Sequence, residues 1–352
     1  MTVAPALSQL AADPAAVAAG RRLRARRRTV ITVVLAVLAA TVAVVSLMVG
    51  NTFYGLDQVI RVILGETVPG ASFTVGELRL PRVALGILVG FGFGIAGVTF
   101  QTMLRNPLAS PDMIGISKGA SAAAVLSIVV LGLDGIAVSL VALGGALATA
   151  IAIWLLSHRG GFAGTRLILI GIGLAAMLDS VITYALSRAA TWDLQGAMLW
   201  LTGSLNPASW ERVQPIAATF AVLVPLLLIL GGPLDVLRLG DESAAALGVR
   251  VRRTRLLAIL AAVLLVALST AAAGPIAFVA LMSGPIAARI VGPGGSLLLP
   301  AGLIGTLLVL VGDLVGQHAF GGRLPVGVIT GVLGAPYLIF LLVRANRSGG
   351  TL

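Results

Sequence analysis

Few residues in this chain could do chemistry, because charged side chains make up only 11% of it. Three of those inside long apolar runs stand out. Asp179 lies midway along one run, Arg289 near one end of a second and Asp313 near one end of a third. A charged group within a membrane span must face protein or water, and carboxylates so placed could relay protons in a gradient-driven carrier. Neither aspartate has a matching basic residue in its own run, so interior hydrogen bonding is the more natural expectation. Catalytic constellations are missing: there are no paired carboxylates at close helical spacing, no H-E-x-x-H and no nucleophile elbow. With 0 cysteines and 2 isolated histidines, neither a disulfide framework nor a thiolate or histidine metal site can form. No G-x-x-x-x-G-K-[ST] phosphate loop occurs, so the chain binds no nucleotide in that way and no cofactor of its own is expected.

Two polar stretches between apolar runs carry the remaining interest. The first is Gln101 to Ala120, QTMLRNPLASPDMIGISKGA. Arg105 and Asn106 stop one run, Pro107 and Pro111 forbid simple helical continuation, and Gly115 and Gly119 open the next with small residues. It reads as a cytoplasmic turn. The second lies at 233–254 and contains LGDESAAALGVRVRRT. There Asp241 and Glu242, after Gly240, open a short Ala-rich helix where acidic residues suit the positive N-terminus, and Gly248 ends it. Ala244 and Leu247 fall three apart and are expected on one shallow apolar face, suited to a groove on a soluble partner. A helix lying on the membrane surface is the alternative.

The elements that must hold these residues are membrane helices. Hydrophobic residues reach 58% and the mean hydropathy is +1.07, with too little polar surface for a soluble domain of this length. The fold class is an all-α polytopic membrane protein. Apolar runs near 30–49, 81–104, 114–133, 135–157, 166–188, 213–232, 255–274, 276–292, 298–317 and 326–343 give about ten spans. Residues 1–28 form a basic tail, loose over its first 20 residues and ending in Arg21, Arg22, Arg24, Arg26, Arg27 and Arg28. Residues 29–344 form one transmembrane domain, and 345–352 a short second tail.

An even helix count with both termini cytoplasmic puts Arg105, Arg159, Arg166, Arg238, Arg250, Arg252, Arg253, Arg255, Arg344 and Arg347 on one side. This orientation accounts for the net charge of +11 without invoking nucleic acid, since the cations sit in short clusters between spans. Gly86, Gly90, Gly94 and Gly97 share one face of the second span, where they allow close helix contact or line a path.

Four blocks resemble the permease subunit of ferric siderophore, haem and vitamin B12 ABC importers, the ten-helix type II importer family. They are Glu77–Ser121, Leu199–Trp210, Gly240–Val251 and Ala273–Arg344, and the resemblance covers about nine tenths of the chain. GPIAFVAL, GQH and GAPYLIFLLVRANRSGG lean toward the ferric-catecholate branch over the vitamin B12 branch. The resemblance implies a cell-membrane permease working as a homo- or heterodimer, with ABC ATPase subunits below and an extracytoplasmic substrate-binding protein above. It also implies that ATP is used by the partner, so that the chain is not itself an enzyme. The cargo would be a ferric siderophore, with haem or vitamin B12 as alternatives within the family and a proton-coupled carrier as the alternative outside it.

Residue roles follow from the same resemblance. Gly240, Asp241, Ala244, Leu247 and Gly248 would couple to the ATPase, with Arg105, Asn106 and Pro107 in the neighbouring turn. Arg79 and Arg82, in the motif RLPR, would receive acidic residues of the binding protein. Where relatives often carry an arginine after Asp313 this chain has Gln317, and where they often carry glutamate before Leu-Pro it has Arg323. The docking cation is therefore expected to have moved to Arg323. Gly284 and Pro285 stand where many members carry Pro-His, so no role passes to that position.

Overall fold

The computed structural model describes residues 14–112, 114–157, 164–292 and 294–347. Among them the chain forms thirteen α-helices: α1 (Pro14–Met48), α2 (Leu56–Ile63), α3 (Leu80–Leu104), α4 (Ile116–Val129), α5 (Gly135–Ser157), α6 (Gly164–Arg188), α7 (Thr191–Thr202), α8 (Trp210–Leu237), α9 (Asp241–Ala246), α10 (Val251–Ala273), α11 (Val279–Val291), α12 (Leu298–His318) and α13 (Val326–Arg347). Eight stretches are long and apolar enough to cross a membrane, and α4 and α11 are shorter apolar helices that complete the ten expected runs. α2, α7 and α9 are connectors that hydropathy alone does not show. Residues 1–13 and Arg159 lie outside the described residues. The tail expected to be loose through residue 20 is helical from Pro14, so the arginine cluster rides on the first turns of α1.

The bundle is organised around α3, which packs on α8, α10, α11 and α12. A π-helical stretch, Ser72–Arg79, leads straight into it, so the second span is longer than its apolar run. The glycine stripe is a packing face. A Cβ at Gly90 would meet the backbone of Gly305 and Thr306, one at Gly94 the backbone of Ala301, and one at Gly97 the backbone of Ala280. Where two main chains come this close, dispersion and backbone contact replace the hydrophobic effect that lipid cannot supply.

The run expected at 114–133 is helical only over α4's 14 residues. At about 1.5 Å per residue α4 rises about 21 Å, short of a hydrocarbon core of about 30 Å. Pro107, Pro111 and the left-handed Gly115 (φ 93°) keep the preceding segment non-helical. That segment is not a surface turn throughout: Ala109, Ser110, Pro111, Ile114 and Gly115 are buried. Gly115 packs against Gly171 and Ala175 of α6, and Gly119 against Gly145 and Thr149 of α5. Irregular backbone at membrane depth is tolerated only when enclosed by protein, and here Ile114 and Gly115 pack on α6 while α4, which follows, packs on α5, α6 and α10.

Candidate coupling and docking sites

At the basic end, Asp241 joins three helices. α3 closes in a Schellman motif, with Asn106 N–H donating to Gln101 O (3.1 Å) and Arg105 N–H to Thr102 O (3.4 Å). The motif sets Arg105 in the left-handed region at φ 49°, at a cost of about 1 kcal/mol for a residue other than glycine. In return its guanidinium reaches the start of α9: Nε donates to Leu237 O (3.1 Å) and Nη2 to Asp241 Oδ1 (2.6 Å). Arg255, from the first turns of α10, donates to both carboxylate oxygens of Asp241 at 2.6 Å. These cations, Arg255 foremost, hold the Asp241 carboxyl below the usual carboxylate range.

Asn106 folds the chain away from this end, its Oδ1 accepting from the Leu108 N–H at 2.9 Å, with Pro107 between them. A groove of about 580 Å³ opens here between Met103, Arg105, Asn106, Gly240, Asp241 and Arg255. Gly240 (φ 111°) and Gly248 (φ 83°) bracket α9 in conformations that suit glycine. One expectation fails: Ala244 and Leu247 do not share a face. Ala244 is fully buried beneath α9, whereas Leu247 is 66% exposed. Leu247 is already the C-cap, with backbone φ −84° and ψ 10°, so the helical three-residue repeat no longer aligns it with Ala244. The outward face of α9 is instead Glu242, Ser243, Ala245, Ala246 and Leu247.

The opposite end is held by arginines. Arg79 donates to the carbonyls of Leu47 (2.7 Å), Met48 (3.0 Å) and Thr52 (2.6 Å), and lies 5.0 Å over the Tyr54 ring. It thereby caps the end of α1, where carbonyls lack helical partners. Arg82 makes a two-pronged pair with Asp313, Nε to Oδ2 at 2.8 Å and Nη2 to Oδ1 at 2.7 Å, and also donates to Asn206 Oδ1 at 2.8 Å. Gln317 donates to the same Asp313 carboxylate at 2.6 Å. Asp313 is therefore a structural partner, matched from another helix. Arg323 is exposed and, among the described residues, reaches Asn51 Oδ1 alone, at 3.5 Å. Of the three arginines expected at this rim, Arg323 has its charge least engaged within the chain.

Within the bundle, Asp179 is paired after all, across helices: Lys118 Nζ of α4 lies 2.6 Å from its Oδ1. Arg289 stacks 4.9 Å over the Phe340 ring. Gly284 leaves its space to Gln101, whose Nε2 donates to Leu281 O at 3.0 Å. Lys118 and the clamping role of Arg255 carry no local signal, since their partners are 61 and 14 residues away and on other helices.

Among the described residues ten apolar helices, with α3 the most buried of the long spans, define a polytopic membrane protein. The chain belongs to the FecCD transport family, whose model matches residues 26–344. It is 41% identical over 323 residues to the ferric enterobactin transport system permease protein FepG of Escherichia coli, covering 91% of this chain and 98% of that one. It is 38% identical over 279 residues to the vitamin B12 import system permease protein BtuC of Vibrio cholerae, covering 78% of this chain and 84% of that one. A metal-chelate type ABC transporter solved in an inward-facing conformation superposes with a TM-score of 0.79 at 27% identity, over 89% of this chain and 99% of that one. The fold is that of a type II ABC importer permease, and the protein is a multi-pass membrane transport subunit.

Proposed function

We propose that this permease carries a ferric siderophore chelate across the cell membrane, receiving it from an extracytoplasmic binding protein and driven by a separate ATPase. The observation that carries the reading is the clamp of Asp241 between Arg105 and Arg255. α9 is a six-residue helix held by charge to both α3 and α10, so a push on its outward face would move two spans together. Such a device suits a subunit moved from outside, in keeping with the absence of any phosphate loop in the sequence. In this reading the basic end is cytoplasmic, both termini lie there, and two permeases, identical or related, enclose the path. Arg323 meets the acidic surface of the binding protein, while Arg79 and Arg82 hold the permease's own rim in shape. The catecholate class of cargo is supported by the identity to the enterobactin permease.

The test is uptake of radiolabelled ferric siderophore into proteoliposomes holding the permease, its ATPase and its binding protein. Uptake should require ATP and the ATPase and stop with vanadate. Uptake that survives removal of the ATPase and collapses with the proton gradient would replace this reading with a proton-coupled carrier.

A further inference from the structure

The Lys118–Asp179 pair lies where an isolated chain should not carry charge. Asp179 is close to the middle of the 23-residue span Arg166–Arg188, and Lys118 sits in the first turn of α4. Yet the two side chains are 44% and 50% exposed. A lysine or aspartate facing lipid at that depth costs about 2.5–3.5 kcal/mol even on the most lenient scale. Lipid is therefore not what covers them.

The surrounding surface agrees. The Arg166–Arg188 stretch is the least buried of the eight long spans, at 17%. From residue 173 onward Gly173, Ala176, Asp179, Ser180, Thr183 and Ser187 fall on one arc at helical spacing, and all but the half-buried Asp179 are exposed. The hydroxyls of Ser180, Thr183 and Ser187 bond back to their own helix at Ala176, Asp179 and Tyr184, and among the described residues no neighbouring helix is hydrogen-bonded to them. The larger apolar residues Met177 and Val181 are also exposed but lie outside that arc, beyond its Gly173 edge. A membrane helix with a small, polar face unmatched by its own chain is facing water.

We infer that this arc of α6 with Lys118 forms a wall of the water-filled path, and that the Lys118–Asp179 pair keeps that wall electrically neutral. Asp112, near enough for its charge to act on Lys118, accepts from Ser117 through one carboxylate oxygen and has the other buried. Neutrality matters for a path that must let cargo leave as readily as it enters. An ammonium alone would hold an anionic chelate, and a carboxylate alone would turn it away. This last step rests on the proposed siderophore cargo; the aqueous wall and its neutrality do not.

The chain has 0 cysteines, so a single introduced thiol reports by itself. In the reconstituted importer, read on the permease band, Thr183→Cys and Ser180→Cys should react with membrane-impermeant methanethiosulfonates, and Val181→Cys should not. In the Thr183→Cys background, Lys118→Met should lower the ratio of anionic to cationic reagent reactivity on the order of ten-fold, and Asp179→Asn should raise it comparably. Lys118→Arg and the double change Lys118→Met with Asp179→Asn should leave the ratio near its starting value. Thr183→Cys reacting no faster than Val181→Cys would overturn the aqueous wall. Reactivity without opposite shifts in the ratio would overturn the neutral pair. Should both results hold while the parent protein takes up no ferric siderophore, the cargo reading falls and the wall stands.

Discussion

Replacing Asp241 by asparagine keeps the shape of the side chain and removes its charge, which isolates the clamp on α9. Three charge-assisted bonds of 2.6 Å are weakened together. The link to Arg105 is open to solvent, with both partners more than 40% exposed, so screening leaves it about 0.5 kcal/mol. The two-pronged link to Arg255, whose side chain is 12% exposed, is worth about 1.5 kcal/mol. Together these make about 2 kcal/mol, or about 30-fold in the balance between α9 clamped to α3 and α10 and α9 adrift. The assay is the number of chelates imported per ATP hydrolysed by the full importer. Asp241→Asn should lower that ratio at least ten-fold while the purified permease still assembles, because force on α9 no longer reaches the spans. Wild-type coupling in Asp241→Asn would refute the role of the clamp. The pH dependence has a definite sign. The folded-state pKa is depressed, so the contribution is complete above the unfolded carboxylate value of about 3.9 and is lost as pH falls through the lower folded value. Between pH 5 and 8 the clamp should add no pH dependence to coupling.

Gly94→Leu would drive a side chain into the backbone of Ala301 and should abolish the folded permease, seen as loss of the monodisperse peak in detergent, whereas Gly144→Ala, which meets nothing within 4 Å, should leave it intact. Asp313 is 8% exposed on its side chain, so Asp313→Asn should destabilise the protein by about 3 kcal/mol in detergent melting, and adding Arg82→Met should recover part of the loss by removing the unpaired cation. Arg323→Glu should slow association of the loaded binding protein and reverse the effect of salt on that rate, measured by surface binding to nanodisc-held permease. An unchanged rate would place the docking charge elsewhere.

How much of this was legible beforehand depends on the range of the physics involved. Transfer of about 20 apolar residues into lipid is a local property, so the ten runs, the proline and glycine breaks at 107, 111 and 115, and the arginine clusters could be read from the chain itself. The short helix after Gly240 was equally local, ending at Gly248 as its φ of 83° requires. Its docking face was not, because Ala244 is turned inward by contacts with α8 and α10 that no repeat encodes. The extent of α4 was hidden for a similar reason: hydropathy does not distinguish a buried irregular segment from a helix, and both are apolar here. Every charge pair that gives the site its character is long-range, with Arg82 and Asp313 separated by 231 residues and Arg105 and Asp241 by 136. Asp179 and Asp313 therefore looked partnerless in their own spans, and Arg79 and Arg82 looked free for a binding protein. The sequence by itself determined that this is a helical membrane protein and where its apolar runs lie, because burial in lipid acts residue by residue along the chain, and its motif blocks carried the resemblance to a permease. Which charges neutralise one another, and which face of α6 is left polar and open, was decided only by the packing that brings distant helices within hydrogen-bonding reach.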